Sequence, residues 1–274
     1  MSRGYGYDLG LFGPESVTWR LHADPVLWLG GIRALFLQAL HPEAMELLHE
    51  YSVFRDDPWG RLRRTAGYVG VTTYGTHEEA ATAGARVREL HRRLGLDAPH
   101  LLRWVHCCEV DSFLAAARRS GVRVSAAEAD QYVAEQLRSA RLVGVPEDGT
   151  PRSVAGLTAY FEAIRPELAC IPAARAAARY ILLPPMSWRA QLFTPARPAW
   201  TLLAGESFAL LPRWARRLYA LPGLPTTDLT ATALARTIRT ALHLLPARLR
   251  EGPHYRAARA RMAATPVRRL EALP

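Results

Sequence analysis

Apolar residues recur at three- and four-residue spacing through almost the whole chain, with Pro or Gly between the runs. That pattern predicts a succession of amphipathic helices, near 25–39, 42–51, 59–69, 77–94, 99–119, 125–142, 153–164, 171–180, 198–210, 212–220, 227–245 and 253–262. Several starts carry side chains suited to orphan backbone N–H groups: Asp24 ahead of Pro25, Thr76 ahead of Glu79, and Ser125 ahead of Glu128. A short β element is expected at 69–73 (VGVTT), and the proline-rich stretch 181–200 is expected to be a loop or crossover that could divide subdomains. No repeat or sheet-based core is visible, so the expected fold is all-α, a single globular helical domain spanning 1–274.

The most informative run is 30–65. Leu37, Leu40, Ala44 and Leu48 form an apolar stripe, with His41 and Met45 on or beside it. His41 precedes Pro42, so a helix ends and restarts there and the imidazole stands at a junction that could face a pocket. After the turn DPWG, Arg61, Arg64 and Thr65 share one helical face, a surface suited to an anionic or polar ligand and equally a plain solvated face.

Composition changes this picture little. Ala, Leu and Arg dominate, which favours helix. The formal net charge of +10 raises nucleic acid or anionic membrane as a partner. Every basic residue is Arg, however, and neither Lys nor Asn occurs. This resembles the coding bias of a GC-rich genome more than a phosphate-binding face; zinc-finger and RNA-recognition signatures are missing, so no nucleic-acid partner is expected. Cys107, Cys108 and Cys170 make no disulfide framework, which fits a reducing cytoplasm. MSRGYGYDLG does not read as a secretory signal. The apolar stretch 26–40 is broken by Arg33 and Gln38 and is too short to span a bilayer, so no stable membrane insertion is expected.

Among chemical candidates, His91 stands out: Val87, Leu90 and Leu94 surround it at helical spacing and arginines take the other face. It reads either as a core histidine with satisfied ring nitrogens or as an axial imidazole for haem iron. His106, on an apolar face with Leu102, Val110 and Phe113, is the rival ligand or a packed residue bonded to Glu109 or Asp111. His22, His49, His77, His100 and His254 read as surface or loop residues. No HExxH, CxxC, Glu-x-x-His or facial-triad spacing appears, nor GxSxG, a P-loop or GxGxxG; zinc hydrolysis, a di-iron centre, a serine hydrolase, an NTPase and a Rossmann enzyme are therefore poorly supported. Cys107 and Cys108 read as inert buried thiols rather than ligands.

GGIRALFLQALHPEAM, FRDDPWGRLRRT, VRELH and LLRWVH, in this order, resemble the catalytic domain of the rubber oxygenases (latex clearing proteins) and MpaB-like oxygenases. WRLHADP, LVGVP, FALLPRWARRLYALP and LPARLREGPHYRAARAR extend the resemblance over almost the full chain. It implies a helical fold enclosing a pocket for haem b (iron), held by one proximal histidine, and oxidative cleavage or hydroxylation with dioxygen. Position by position, it makes His91 the metal ligand and places Arg61, Arg64 and Thr65 on the distal side. His41, His106 and Arg33 remain further candidates for cofactor contact. Rubber oxygenases carry lysine at the position of Arg64, so this chain keeps the charge and changes the hydrogen-bond geometry. The stretch between His91 and LLRWVH is also shorter than in many relatives, which leaves His91 and His106 open as alternatives. The expected function is a haem-dependent oxygenase acting on a small hydrophobic metabolite. The alternative is a haem-free helical carrier of an apolar ligand, and a third reading is a basic helical protein on anionic lipid or nucleic acid.

Overall fold

The computed structural model describes residues 8–50 and 57–264, and every regular element among them is helical. In chain order these are α1 (Val17–His22), α2 (Leu27–Gln38), α3 (Pro42–Glu50), α4 (Pro58–Tyr74), α5 (His77–Arg93), α6 (Pro99–Arg119), α7 (Ala126–Leu142) and α8 (Val154–Ile164). After a 3-10 turn at Arg165–Glu167 come α9 (Pro172–Leu182), α10 (Trp188–Phe193), α11 (Ala196–Ala209), α12 (Arg213–Leu218), α13 (Pro225–Leu244), α14 (Ala247–Arg250) and α15 (Pro253–Ala264). The segment 51–56 between α3 and α4, which includes the first three residues of FRDDPWGRLRRT, lies outside the described residues, as do the first seven residues of MSRGYGYDLG and the side chain of His49.

Two of the three capping signals act as expected, while Asp24 accepts from Val26 N (3.0 Å) in the turn before α2, whose own N-cap is Val26 with no side-chain cap. Thr76 and Ser125 each accept from the backbone of a glutamate three residues on, whose carboxylate reaches back to the cap N–H. Two expectations are corrected. VGVTT is the last third of α4, because the hydroxyls of Thr72 and Thr73 bond back to the carbonyls of Tyr68 (2.9 Å) and Val69 (2.7 Å), satisfying β-branched residues within a helix. The stretch 181–200 is not one open loop: α10 fits between Pro185 and Pro195, and α11 takes Pro198 in its first turn, where its missing N–H costs nothing. The sequence also passes over α1, whose first N–H groups are capped by the buried carboxylate of Glu135 on α7, with Thr18 N at 2.8 Å.

α2 is the centre of the fold. It packs along α6 on one side and against α11 on the other, and its Leu29, Ile32, Phe36 and Leu37 are inaccessible to solvent or nearly so. The α2–α6 approach depends on Gly30: a Cβ there would lie 2.9 Å from the Phe113 Cα, a backbone atom that cannot step aside. Around this pair, Trp104, Phe113, Tyr132, Phe161, Phe208 and Leu211 join α6, α7, α8 and α11 into one core. A smaller aromatic group, Trp19, Tyr74 and Tyr255, fastens α15 to α1 and α4.

Candidate functional site

α4 and α5 form a hairpin, and α5 packs on α7, yet neither α4 nor α5 packs closely along α6. Half-buried residues on these three helices include Arg61, Tyr68 and Val69 on α4, Val87 and His91 on α5, and Val105 and Glu109 on α6; across the gap Arg61 lies near enough for its charge to act on His91, and Glu109 on Tyr68. A Cβ placed on Gly67 would meet nothing within 4 Å, so α4 is also unpacked on the side that Gly67 presents. The gap is a crevice walled by three helices.

His91 stands in the last turn of α5, where Gly95, at φ 64°, ends the helix and lets Leu96 N bond to the His91 carbonyl at 2.9 Å. Its Nδ1 is buried and has no hydrogen-bond partner. Burial above all, and then the Arg61 guanidinium, lowers its pKa against the opposing pull of Asp97, which keeps the ring neutral. The Tyr68 hydroxyl, two turns beyond Arg61 on the same face of α4, is likewise buried without a partner. Burial raises its pKa, and the nearby Glu109 carboxylate raises it further.

Glu109 reaches the crevice from α6 and is enclosed enough that burial pushes its carboxyl up to about 7. A group poised there exchanges a proton near neutrality. The unfolded carboxyl ionises near 4.5 and the native one near 7, so the native state holds the extra proton between these values. Wild-type stability is therefore expected to fall as pH rises through that window, relative to Glu109→Gln. Melting temperatures of the two proteins from pH 4.5 to 7 test this, and parallel profiles would refute it. The buried histidines His22 (about 3) and His106 (about 4), whose burial makes stability rise with pH below 6.5, are common to both proteins and cancel in the difference.

The other sequence-derived candidates separate. Arg61 lies half-buried in the crevice, whereas Arg64 and Thr65 are exposed, and Arg64 meets the Asp57 carboxylate that caps α4 at 3.1 Å. His106 is buried in the α6 core face. Asp111, one of its suggested partners, pairs instead with Arg33 at 2.8 Å. Arg33 is itself almost fully buried, donating to the Leu210 carbonyl (3.0 Å) and Ser112 (2.6 Å). It ties α2 and α6 to the 210–212 turn. There it borders a cleft of about 430 Å³ with Arg119, Leu211, Asp228 and Thr232, whose guanidinium donors are taken up by protein acceptors. That cleft lies at the far end of α6 from His106 and holds no histidine.

Two placements correct the sequence reading of histidines. His22 is not a surface residue: it is buried between Thr73 (Nδ1, 2.8 Å) and Tyr132 (Nε2, 3.0 Å). His100 is exposed as expected, but α6 carries it to the start of α3, where its Nε2 meets the Glu43 carboxylate at 2.7 Å and its ring lies 6.0 Å from that of His41. Linear spacing contained no such His-Glu-His set. Cys107 and Cys108 are buried thiols whose pKa burial raises, as expected of inert cysteines. Tyr68 and Glu109 were missed, although Tyr68 follows Arg61 by seven residues and Glu109 follows His106 by three, both helical repeats.

Within this helical shell a histidine with a lowered pKa and a buried, unpartnered Nδ1 lies near an arginine, and a buried phenol lies near a carboxyl group of raised pKa, a grouping more often met in ligand-binding domains than in structural bundles. The chain belongs to the family described as ER-bound oxygenase mpaB/B′/rubber oxygenase, catalytic domain, whose model matches residues 19–242. It is thereby placed among oxidoreductases of the oxygenase class, a chemistry that calls for a metal or haem cofactor and dioxygen. No curated protein and no solved structure matches the chain. No helix among the described residues is long and apolar enough to cross a membrane.

Proposed function

We propose that this protein is a haem b-dependent oxygenase whose crevice between α4, α5 and α6 takes the porphyrin and a small hydrophobic substrate. The observation that carries this reading is the buried, unpartnered His91 Nδ1 on a ring kept neutral by burial, the protonation state that ligation requires. The residues present fit the group: His91 would hold the iron, and Arg61, close enough for its charge to act on His91, would lie against the propionates or the oxygen-binding face. When bound, haem supplies the redox-active iron that activates dioxygen.

The rest falls to the chain. Glu109 holds a proton near neutral pH and can deliver or receive it in the crevice, while the Tyr68 hydroxyl offers a donor to a polar oxygen there. Val69, Val87 and Val105 give the walls their apolar character, orienting a hydrophobic substrate and excluding water. Arg64 and Thr65, exposed at the entrance of α4, would act on substrate or oxygen only with a rotation of their side chains inward. Oxidative cleavage of a C=C bond or hydroxylation of a small metabolite are the reactions this family membership favours.

An optical spectrum of the purified protein, oxidised and then reduced under carbon monoxide, tests cofactor and open coordination together. A Soret band that shifts on carbon monoxide binding is expected. A protein without haem absorption after expression with haem precursor would instead be a haem-free helical carrier of an apolar ligand.

A further inference from the structure

We propose that His41, Glu43 and His100 form a second site, for a divalent transition-metal ion of the zinc class, at the junction of α3 and α6. A ring nitrogen of each histidine and a carboxylate oxygen of Glu43 lie within 4.8 Å of one another. The site is distinct from the crevice, none of whose residues belongs to it.

The independent observation is the state of His41. This residue is 5% exposed, and its Nδ1 receives only a long contact from Ala44 N, at 3.4 Å. Its Nε2 is buried with no partner at all. A buried ring nitrogen without a partner is costly, and an ion bound beside it would remove that cost. Glu43 and His100, by contrast, are exposed, so the site is closed on its His41 side and open to solvent on the other. An ion can enter without unfolding anything.

The backbone holds the three residues in readiness. His41 and Glu43 flank Pro42, the first residue of α3, and His100 follows Pro99, the first residue of α6. Proline at a helix start fixes the local backbone. The His41 ring is further seated on Trp104, 5.9 Å away and one turn beyond His100. Closing the set to ligand distances of roughly 2.0–2.2 Å calls on rotation of the Glu43 and His100 side chains, both of which are exposed. Glu167, near enough for its charge to act on His41, adds a second negative charge to balance the ion. Two imidazoles and one carboxylate favour zinc-like ions over calcium or magnesium, and three protein ligands leave a coordination position open.

Calorimetric titration of Zn²⁺ into the full chain, after dialysis against a chelator, tests the site without haem or turnover. One equivalent is expected to bind and to raise the melting temperature. His100→Ala and Glu43→Gln, both at exposed positions, are each expected to weaken binding by at least about tenfold, whereas His91→Ala leaves it unchanged. These variants carry the test because deleting the buried His41 ring could unfold the junction. Absence of binding at Zn²⁺ concentrations up to about 100 µM, or binding that survives both substitutions, would overturn the proposal. Failure of haem to bind in the crevice has no bearing on this result.

Discussion

His91→Ala is expected to abolish haem retention while the helical circular dichroism stays as in the wild type. The residue is half-buried in the last turn of α5, and its ring nitrogen makes no hydrogen bond whose loss would open the fold. Truncation should therefore cost the fold no more than about 1 kcal/mol, but it removes the neutral imidazole on which the proposed haem ligation depends. Loss of the Soret band and of dioxygen-dependent turnover should go together, and added imidazole should restore part of the band by occupying the space left behind. A variant that keeps the full Soret band would remove His91 as the ligand and leave His106 to be tested. His106 is the less suited of the two because its ring is buried in the packed core face of α6, although burial keeps it neutral too, with a pKa of about 4.

The largest effect on stability is expected at Trp104. The side chain is fully buried, its indole N–H donates to the Gln38 carbonyl at 3.0 Å, and its ring packs on His41 and Phe161. It thus satisfies one of the carbonyls left open at the end of α2 while joining α6 to α3 and α8. Trp104→Ala leaves a cavity and an unsatisfied acceptor together, so a loss of about 3–5 kcal/mol is expected in chemical denaturation. A loss below about 1 kcal/mol would mean that the α2–α6 junction repacks around the gap. Because Trp104 also seats the His41 ring, the same variant should weaken Zn²⁺ binding, although Trp104 is not itself a ligand.

Much of the architecture was legible along the chain. The helices carrying Arg61, His91 and His106 follow from apolar periodicity, and their starts follow from Asp57, Thr76 and Pro99, because capping and proline act over three or four residues. VGVTT misled because β-branched residues suggest strand, whereas hydroxyl bonds to the preceding turn and packing against α5 and α15 hold it helical. The helix at Trp188–Phe193 was hidden among prolines that lie at its borders rather than inside it.

The candidate site was legible only in part. Arg61, Arg64 and Thr65 share a face by spacing, but which of them turns inward depends on what stands opposite: Arg61 is half-buried toward His91, while Arg64 is drawn to the Asp57 cap. His22 looked peripheral, since its burial comes from Thr73 and Tyr132, 51 and 110 residues away in the chain.

By itself, the sequence determined that this protein is helical, where most of its longer helices lie, and that it resembles an oxygenase domain, because those properties reside in local periodicity and in ordered motifs. Only the tertiary structure decided that α4 and α5 stand off from α6 to leave a crevice, that burial raises the Glu109 pKa to about 7, and that His100 meets Glu43, 57 residues away in the chain, beside His41. The reason is physical: burial, electrostatic environment and ligand geometry are properties of neighbours in space, and helix packing brings together residues that no spacing rule connects.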